Sequence, residues 1–133
     1  MTTLKRHELN QFTGTTCYYQ FFGKGLVITD GAKYLAENGC HWLLIAIASH
    51  QIEPKVKQYE DTQYWSLENN KENNDFDAKL ICRDYEDNIL VQQEIPFTDF
   101  PFDDLGDVFQ VLCAPTMVSE NEVGRCIFLL SEN

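Results

Sequence analysis

From residue 59 onward, apolar and polar residues alternate with the period of a strand that buries one face. Trp65 and Leu67 share one side of 63–68, and Ala78, Leu80 and Cys82 share one side of 78–84. Ile89, Val91 and Ile95 align in 88–95, Phe109, Val111 and Cys113 in 108–113, and Cys126, Phe128 and Leu130 in 125–130. Five such runs predict a half-buried antiparallel sheet. Residues 84–88 read Asp-Tyr-Glu-Asp-Asn, which predicts a hairpin between the second and third runs. Residues 69–75 hold no apolar side chain, and this predicts an exposed, mobile loop tip.

Ahead of residue 59 the period changes. Thr29-Asp30 predicts an N-cap for a short helix over 31–37, with Asn38-Gly39 as its stop. A second helix over 40–51 carries Trp42, Leu43, Leu44, Ile45, Ala46, Ile47 and Ala48 around most of its circumference, so it should be largely buried. It ends before Pro54, because the residue preceding a proline resists the helical region. Gly23-Lys24-Gly25 precedes the strand-like Leu26-Val27-Ile28 and lacks the spacing of a phosphate-binding loop, so it reads as a hairpin or bend. The expected fold is α+β in a single domain, 1–133. Its mainly helical part, 1–58, packs on an antiparallel sheet of about four to five strands in 59–133.

Length and composition fit that picture, since 133 residues with 44% hydrophobic and 13% aromatic side chains can build one core. Charge adds more. Twenty-one acidic groups against ten Lys plus Arg give a net charge of −11, and the two halves differ: 1–58 carries +2 and 59–133 carries −13. A surplus of this size disfavours unaided binding to nucleic acid or to an anionic membrane, which needs a dense positive field. The longest apolar stretch, 40–48, is well short of the roughly 20 residues that span a bilayer. Residues 1–8 lack the apolar run of a secretory signal. A cytoplasmic location with all five cysteines reduced is the expectation.

Candidate chemistry is sparse. His7, His41 and His50 coexist with five Cys, but the only close pair, Cys40-His41, would diverge on a helix, so no metal or cofactor is expected. Cys17, in a small-residue turn after Gly14-Thr15-Thr16, is the candidate nucleophile of an alternative reading, with His41 or His50 as base. The carboxylates of Asp103-Asp104, Asp107 and Glu86-Asp87 read as solvated, and no catalytic residue is assigned. The segment 95–107 stands apart, with Phe97, Phe100 and Phe102, two prolines, and Asp99, Asp103, Asp104 and Asp107. One reading is a loop whose rings plug the edge of the core. The other is an acidic and aromatic recognition edge, with those seven residues and Glu86 and Asp87 as candidate partner contacts.

Several strings occur together: Phe12-Thr13-Gly14-Thr15, Tyr18-Tyr19, Thr29-Asp30-Gly31-Ala32-Lys33-Tyr34-Leu35-Ala36-Glu37, Trp42-Leu43-Leu44, Ala46-Ile47-Ala48-Ser49-His50-Gln51, and Ile95-Pro96-Phe97-Thr98-Asp99-Phe100-Pro101. This pattern, over roughly residues 9–105, resembles a small domain family of unknown function met in bacterial chromosomes, plasmids and phages. The resemblance implies no activity and no cofactor. Ile45 stands where similar sequences often have an acidic residue, which weakens any catalytic carboxylate there. Tyr18, Tyr19, His50 and Gln51 are the matched polar positions with least architectural reason, and would line any pocket. The leading expectation is a non-enzymatic interaction protein that offers the acidic face of its sheet to a basic protein. One form of it is a nucleic-acid mimic that inhibits a host-defence or nucleic-acid-binding protein. A small Cys/His-dependent hydrolase or transferase, and a structural homo-oligomer packed through Phe97, Phe100 and Phe102, are the alternatives.

Overall fold

The computed structural model describes residues 4–15, 17–21, 25–70 and 77–132. In chain order its elements are α1 (Arg6–Leu9), β1 (Tyr19–Gln20), β2 (Leu26–Ile28), α2 (Asp30–Leu35), α3 (His41–His50), α4 (Pro54–Gln58), β3 (Gln63–Asn69), β4 (Ala78–Arg83), β5 (Ile89–Ile95), α5 (Phe102–Leu105), β6 (Val108–Ser119) and β7 (Glu122–Leu129). A single 3-10 turn, Leu130–Glu132, follows. The strands form one seven-stranded sheet in the order β1-β2-β7-β6-β3-β4-β5.

The α+β class and the five C-terminal strands agree with the periodicity, but the sheet is larger and is not purely antiparallel. β2 joins β7 in parallel, with Leu26, Val27 and Ile28 opposite Arg125, Cys126 and Ile127, and β1 adds to β2. The short N-terminal strands therefore belong to the sheet rather than to a separate helical part. Gly124 makes this junction close: a Cβ there would stand 2.2 Å from the Gly25 carbonyl oxygen, which accepts from Arg125 N–H at 2.7 Å. β6 continues past Cys113 to Ser119, through Pro115. That proline is tolerated because β3 pairs with β6 only as far as Cys113, so the side of β6 next to Pro115 is an edge.

Helices cover one face of the sheet. Trp65, Leu67, Leu80, Cys82, Val91, Val111, Cys113, Ile127 and Leu129 form a single buried cluster with Leu35, Leu43, Leu44, Ile47 and Val56. Each large apolar side chain fully buried in this way contributes about 1.5–3 kcal/mol. The last strand inverts the expected facing. Ile127 and Leu129 point to the helices, while Cys126 is buried outside that cluster and Leu130 is exposed. The run 126–130 is apolar throughout, so alternation could not choose a face, and pairing Cys113 with Ile127 decides it. Ile89 is likewise exposed, because the β4–β5 register shifts between Cys82 and Arg83.

Thr29 caps α2 as expected, its Oγ1 accepting from Ala32 N–H at 3.2 Å. Asp30 N–H donates to Thr15 Oγ1 at 3.0 Å, and two further donors at this helix start meet a residue from the far end of the chain. Thr29 Oγ1–H and Gly31 N–H donate to the Glu132 carboxylate at 2.6 and 3.0 Å. A Cβ on Gly31 would lie 2.6 Å from Glu132 Oε1, so a larger residue there would push that carboxylate aside. Asn38-Gly39 does interrupt the helix: the chain kinks there, with Gly39 at φ +101°, and resumes as α3. Leu43, Leu44, Ile47 and Ala48 of α3 are buried. Pro54 stops α3 and also begins α4, at the position where its missing N–H costs nothing. The expected bend at Gly23-Lys24 and most of the expected loop tip over 69–75 lie outside the described residues. Among the described residues no helix is long and apolar enough to cross a membrane.

Candidate functional site

Opposite the helices, the open face of the sheet carries both signs of charge. Tyr64, Ser66 and Glu68 of β3 face Arg83, Ile81 and Lys79 of β4, and Lys79 faces Glu94 of β5. Arg83 Nη1 donates to Ser66 Oγ at 3.1 Å and to Glu68 Oε2 at 3.0 Å, and Ser66 Oγ–H donates to the same carboxylate at 2.8 Å. Two acids and two bases thus interleave on this face, and it is not the acidic face the composition suggested. The carboxylate surplus sits instead at the two ends of the strands. Asp84, Glu86 and Asp87 occupy the β4–β5 turn, while Asp77, Asp99, Asp103, Asp104 and Asp107 lie at the opposite end. The six residues of β4 hold these ends about 20 Å apart. Glu86 and Asp87 are therefore not brought together with the other candidate partner residues.

At the β4–β5 turn the acids serve the backbone. Asp84 accepts from Glu86 N–H and Asn88 N–H, each at 2.9 Å, and from Asn88 Nδ2 at 3.2 Å. The Asn88 N–H bond, aided by those from Asn88 Nδ2 and Glu86 N–H, holds its carboxyl below the usual range. Asp87 takes a left-handed conformation, φ +71°, and its Oδ1 lies 3.5 Å from Arg83 Nε.

The other end is built by the β5–β6 connection. Asp77 N–H donates to the Ile95 and Pro96 carbonyls at 2.9 and 3.2 Å, and Asp77 Oδ2 accepts from Thr98 N–H at 3.0 Å. Phe100 turns inward, 5% exposed, with its ring 4.9 Å from Phe102 and 5.2 Å from Phe109. Phe102 packs against the same core. These two rings are roots, not partner contacts, and a homo-oligomer interface through three Phe loses two of its anchors. Phe97 is the opposite case, 89% exposed. With Trp42, Asp77, Thr98 and Asp99 it lines a shallow cleft, wide open to solvent, of about 440 Å³. Trp42 belongs to α3 and is half-buried against the core. Burial, together with the charge of Asp99, pushes the Cys40 thiol just before α3 up to about 12.

Local cations are already engaged here. Lys5 Nζ pairs with Asp104 Oδ2 at 3.0 Å, and Arg6 Nη2 donates to the Leu105 carbonyl at 2.6 Å. Gly106, at φ +94°, makes room for that guanidinium, since a Cβ there would stand 2.8 Å from Arg6 Nη2. Asp107 is tied to β3, accepting from Asn69 N–H and Asn69 Nδ2 at 2.8 and 3.1 Å. Asp99 and Asp103 are exposed.

Tyr18, Tyr19, His50 and Gln51 do not converge on one pocket. Tyr18 is exposed beside Gln20, Val27 and the far end of β6, in a separate cleft. Tyr19 O–H donates to Asp30 Oδ1 at 3.0 Å, a bond that pushes the phenol up to about 12, and Lys33 Nζ lies 4.4 Å from its ring centre. His50 stacks on Trp65, centroids 5.6 Å apart, with Nε2 2.7 Å from Gln93 Oε1 and Nδ1 3.0 Å from Glu53 Oε1. Gln51 and the fully buried Gln63 exchange amide bonds at 2.9 Å, and Gln63 Oε1 also accepts from Trp65 Nε1 at 2.8 Å. Arg125 completes this cluster. It donates to Gln51 Oε1 and to the carbonyls of Val56, Lys57 and Tyr59, clipping α4 to the sheet. Both His50 and Gln51 thus do structural work that the sequence did not reveal.

Cys17 is exposed, and among the described residues no hydrogen bond joins it to His41 or His50. Also among the described residues, no group of three or more His, Cys, Asp and Glu stands close enough to hold a metal ion.

No curated protein and no solved structure matches the chain. One family model does match, over residues 3–132, and it is that of the family of unknown function DUF6876. The chain belongs to that family.

Proposed function

We propose that this chain is a non-enzymatic interaction module which binds a basic segment of a partner protein at the Asp77/Asp99/Asp107 end of its sheet. The observation that carries the reading is Phe97, a large apolar ring 89% exposed that shares a depression with the carboxylates of Asp77 and Asp99. An aromatic anchor with a charged surround is the composition of a binding hot spot, in which the ring recovers apolar burial and the charges steer approach. The net charge of −11 favours a cationic partner. Four of the five thiols are buried and none is paired, which suits a partner met in a reducing compartment such as the cytoplasm. A short basic segment also matches the extent of one strand end better than a whole phosphate-tracking groove does, so the mimic of a nucleic acid is the less economical form.

The test is fluorescence anisotropy with a labelled Arg-rich peptide. Binding at low salt should weaken steeply between about 50 mM and about 200 mM salt, as exposed charges are screened. The variant carrying Asp99→Asn, Asp103→Asn and Asp107→Asn should bind more weakly, while one carrying Glu86→Gln and Asp87→Asn should bind like the unaltered chain. Absence of binding at low salt, or equal losses in both variants, contradicts the proposal.

A further inference from the structure

Resting on that reading, we infer that the cleft between Trp42 and Phe97 receives a single arginine side chain of the partner. The cleft has two aromatic rings and two carboxylates, Asp77 and Asp99, around about 440 Å³. A guanidinium suits such a site better than an ammonium. It is flat and weakly hydrated, stacks on aromatic faces, and presents N–H pairs at its edge to a carboxylate. Lysine offers a compact, strongly hydrated point charge with no flat face. The backbone that carries Phe97 is also held in shape before any partner arrives. Asp77 is fixed through both its N–H and its Oδ2, Pro96 stiffens the start of the connection, and Phe100 roots its far side in the core. A preformed site loses less entropy on binding, which lets one side chain contribute selectivity.

Three peptides of one length, in which every basic position is arginine, lysine or the neutral isostere citrulline, separate the contributions. The arginine peptide should bind about tenfold more tightly than the citrulline peptide and several-fold more tightly than the lysine peptide, and it should shift the Trp42 indole N–H resonance. Phe97→Ala should abolish the preference for arginine over lysine while keeping salt-dependent binding of both. Phe97→Leu, which retains apolar bulk without a π face, should behave as Phe97→Ala does. Because Phe97 is exposed, unfolding is not expected to cloud either variant, and an unchanged melting temperature checks this. Arginine and lysine peptides that bind equally, with no effect of Phe97→Ala but with loss in the Asp99/Asp103/Asp107 variant, overturn the arginine site and the anchoring role of Phe97, and leave only the electrostatic docking of the acidic end. Equal binding of the citrulline peptide overturns the arginine site as well. Failure of every basic peptide to bind overturns both readings.

Discussion

The two acidic ends of the sheet look alike in sequence and differ in what their carboxylates do. At the β4–β5 turn, Asp84 spends its oxygens on three N–H groups and Asp87 leans toward Arg83, so the charge there shapes a tight reversal. At the β5–β6 connection, hydrogen bonds to Asp77 and a buried Phe100 set a scaffold that carries Phe97 into water. Acidic residues spaced by turn formers make a turn, whereas acidic residues spaced by rings and prolines make a surface. Both ends expose an aromatic ring, Tyr85 at the turn and Phe97 at the connection, and what separates them is Phe100, buried in the core only at the second.

The largest effect expected from pulling this comparison apart lies within one segment. Phe100→Ala should cost about 3–5 kcal/mol in denaturant unfolding, as large aromatic truncations in cores do. Phe97→Ala, three residues away, should stay within about 0.5 kcal/mol of the unaltered chain. Similar losses for both would mean that Phe97 is also a core residue. Next comes binding: removing the charges of Asp99, Asp103 and Asp107 should weaken an Arg-rich peptide about tenfold or more, and removing those of Glu86 and Asp87 should not.

A smaller effect is expected at the turn. Asp84→Ala should lower the melting temperature by a few degrees at neutral pH, because three N–H groups lose their acceptor. The Asp84 carboxyl titrates lower in the folded chain than its usual value of 3.8, so its contribution is fully present above that value. It is lost as pH falls through the lower folded value. The gap between Asp84→Ala and the unaltered chain should therefore close in acid, and a gap that widens instead would reverse the assigned role. Thiol labelling gives the smallest perturbation. Cys17 is exposed, whereas burial pushes Cys40, Cys82, Cys113 and Cys126 up to about 12, so one thiol should label in the folded chain and four only on unfolding. Rapid labelling of Cys40 would show that the Asp99 end opens locally.

Alternation alone located β3, β4 and the inner face of β6, because Trp65, Leu80 and Val111 each repeat at a spacing of two. Where apolar residues are continuous, as in 126–130, the facing depended on pairing with β6 and was not legible. β1 and β2 span two and three residues, too short to display a period, so their place in the sheet and the parallel β2–β7 pair stayed hidden. Pro54 was legible as a stop but is equally a start. In the candidate site, 95–107 stood out by its mixture of rings and acids. That Phe97 would point outward and Phe100 inward depended on Thr98 and Asp77, which join only in three dimensions. Trp42 carried no signal of its part in the cleft, since an aromatic in an apolar helix reads as core.

The most direct test is a map, residue by residue, of amide shifts on titrating the isotope-labelled chain with an Arg-rich peptide at low salt. Shifts concentrated at Asp77, Phe97, Thr98 and Asp99, together with the Trp42 indole, are the expected result. Shifts centred on Asp84–Asn88 or on the open face of the sheet would contradict it, and so would none at all.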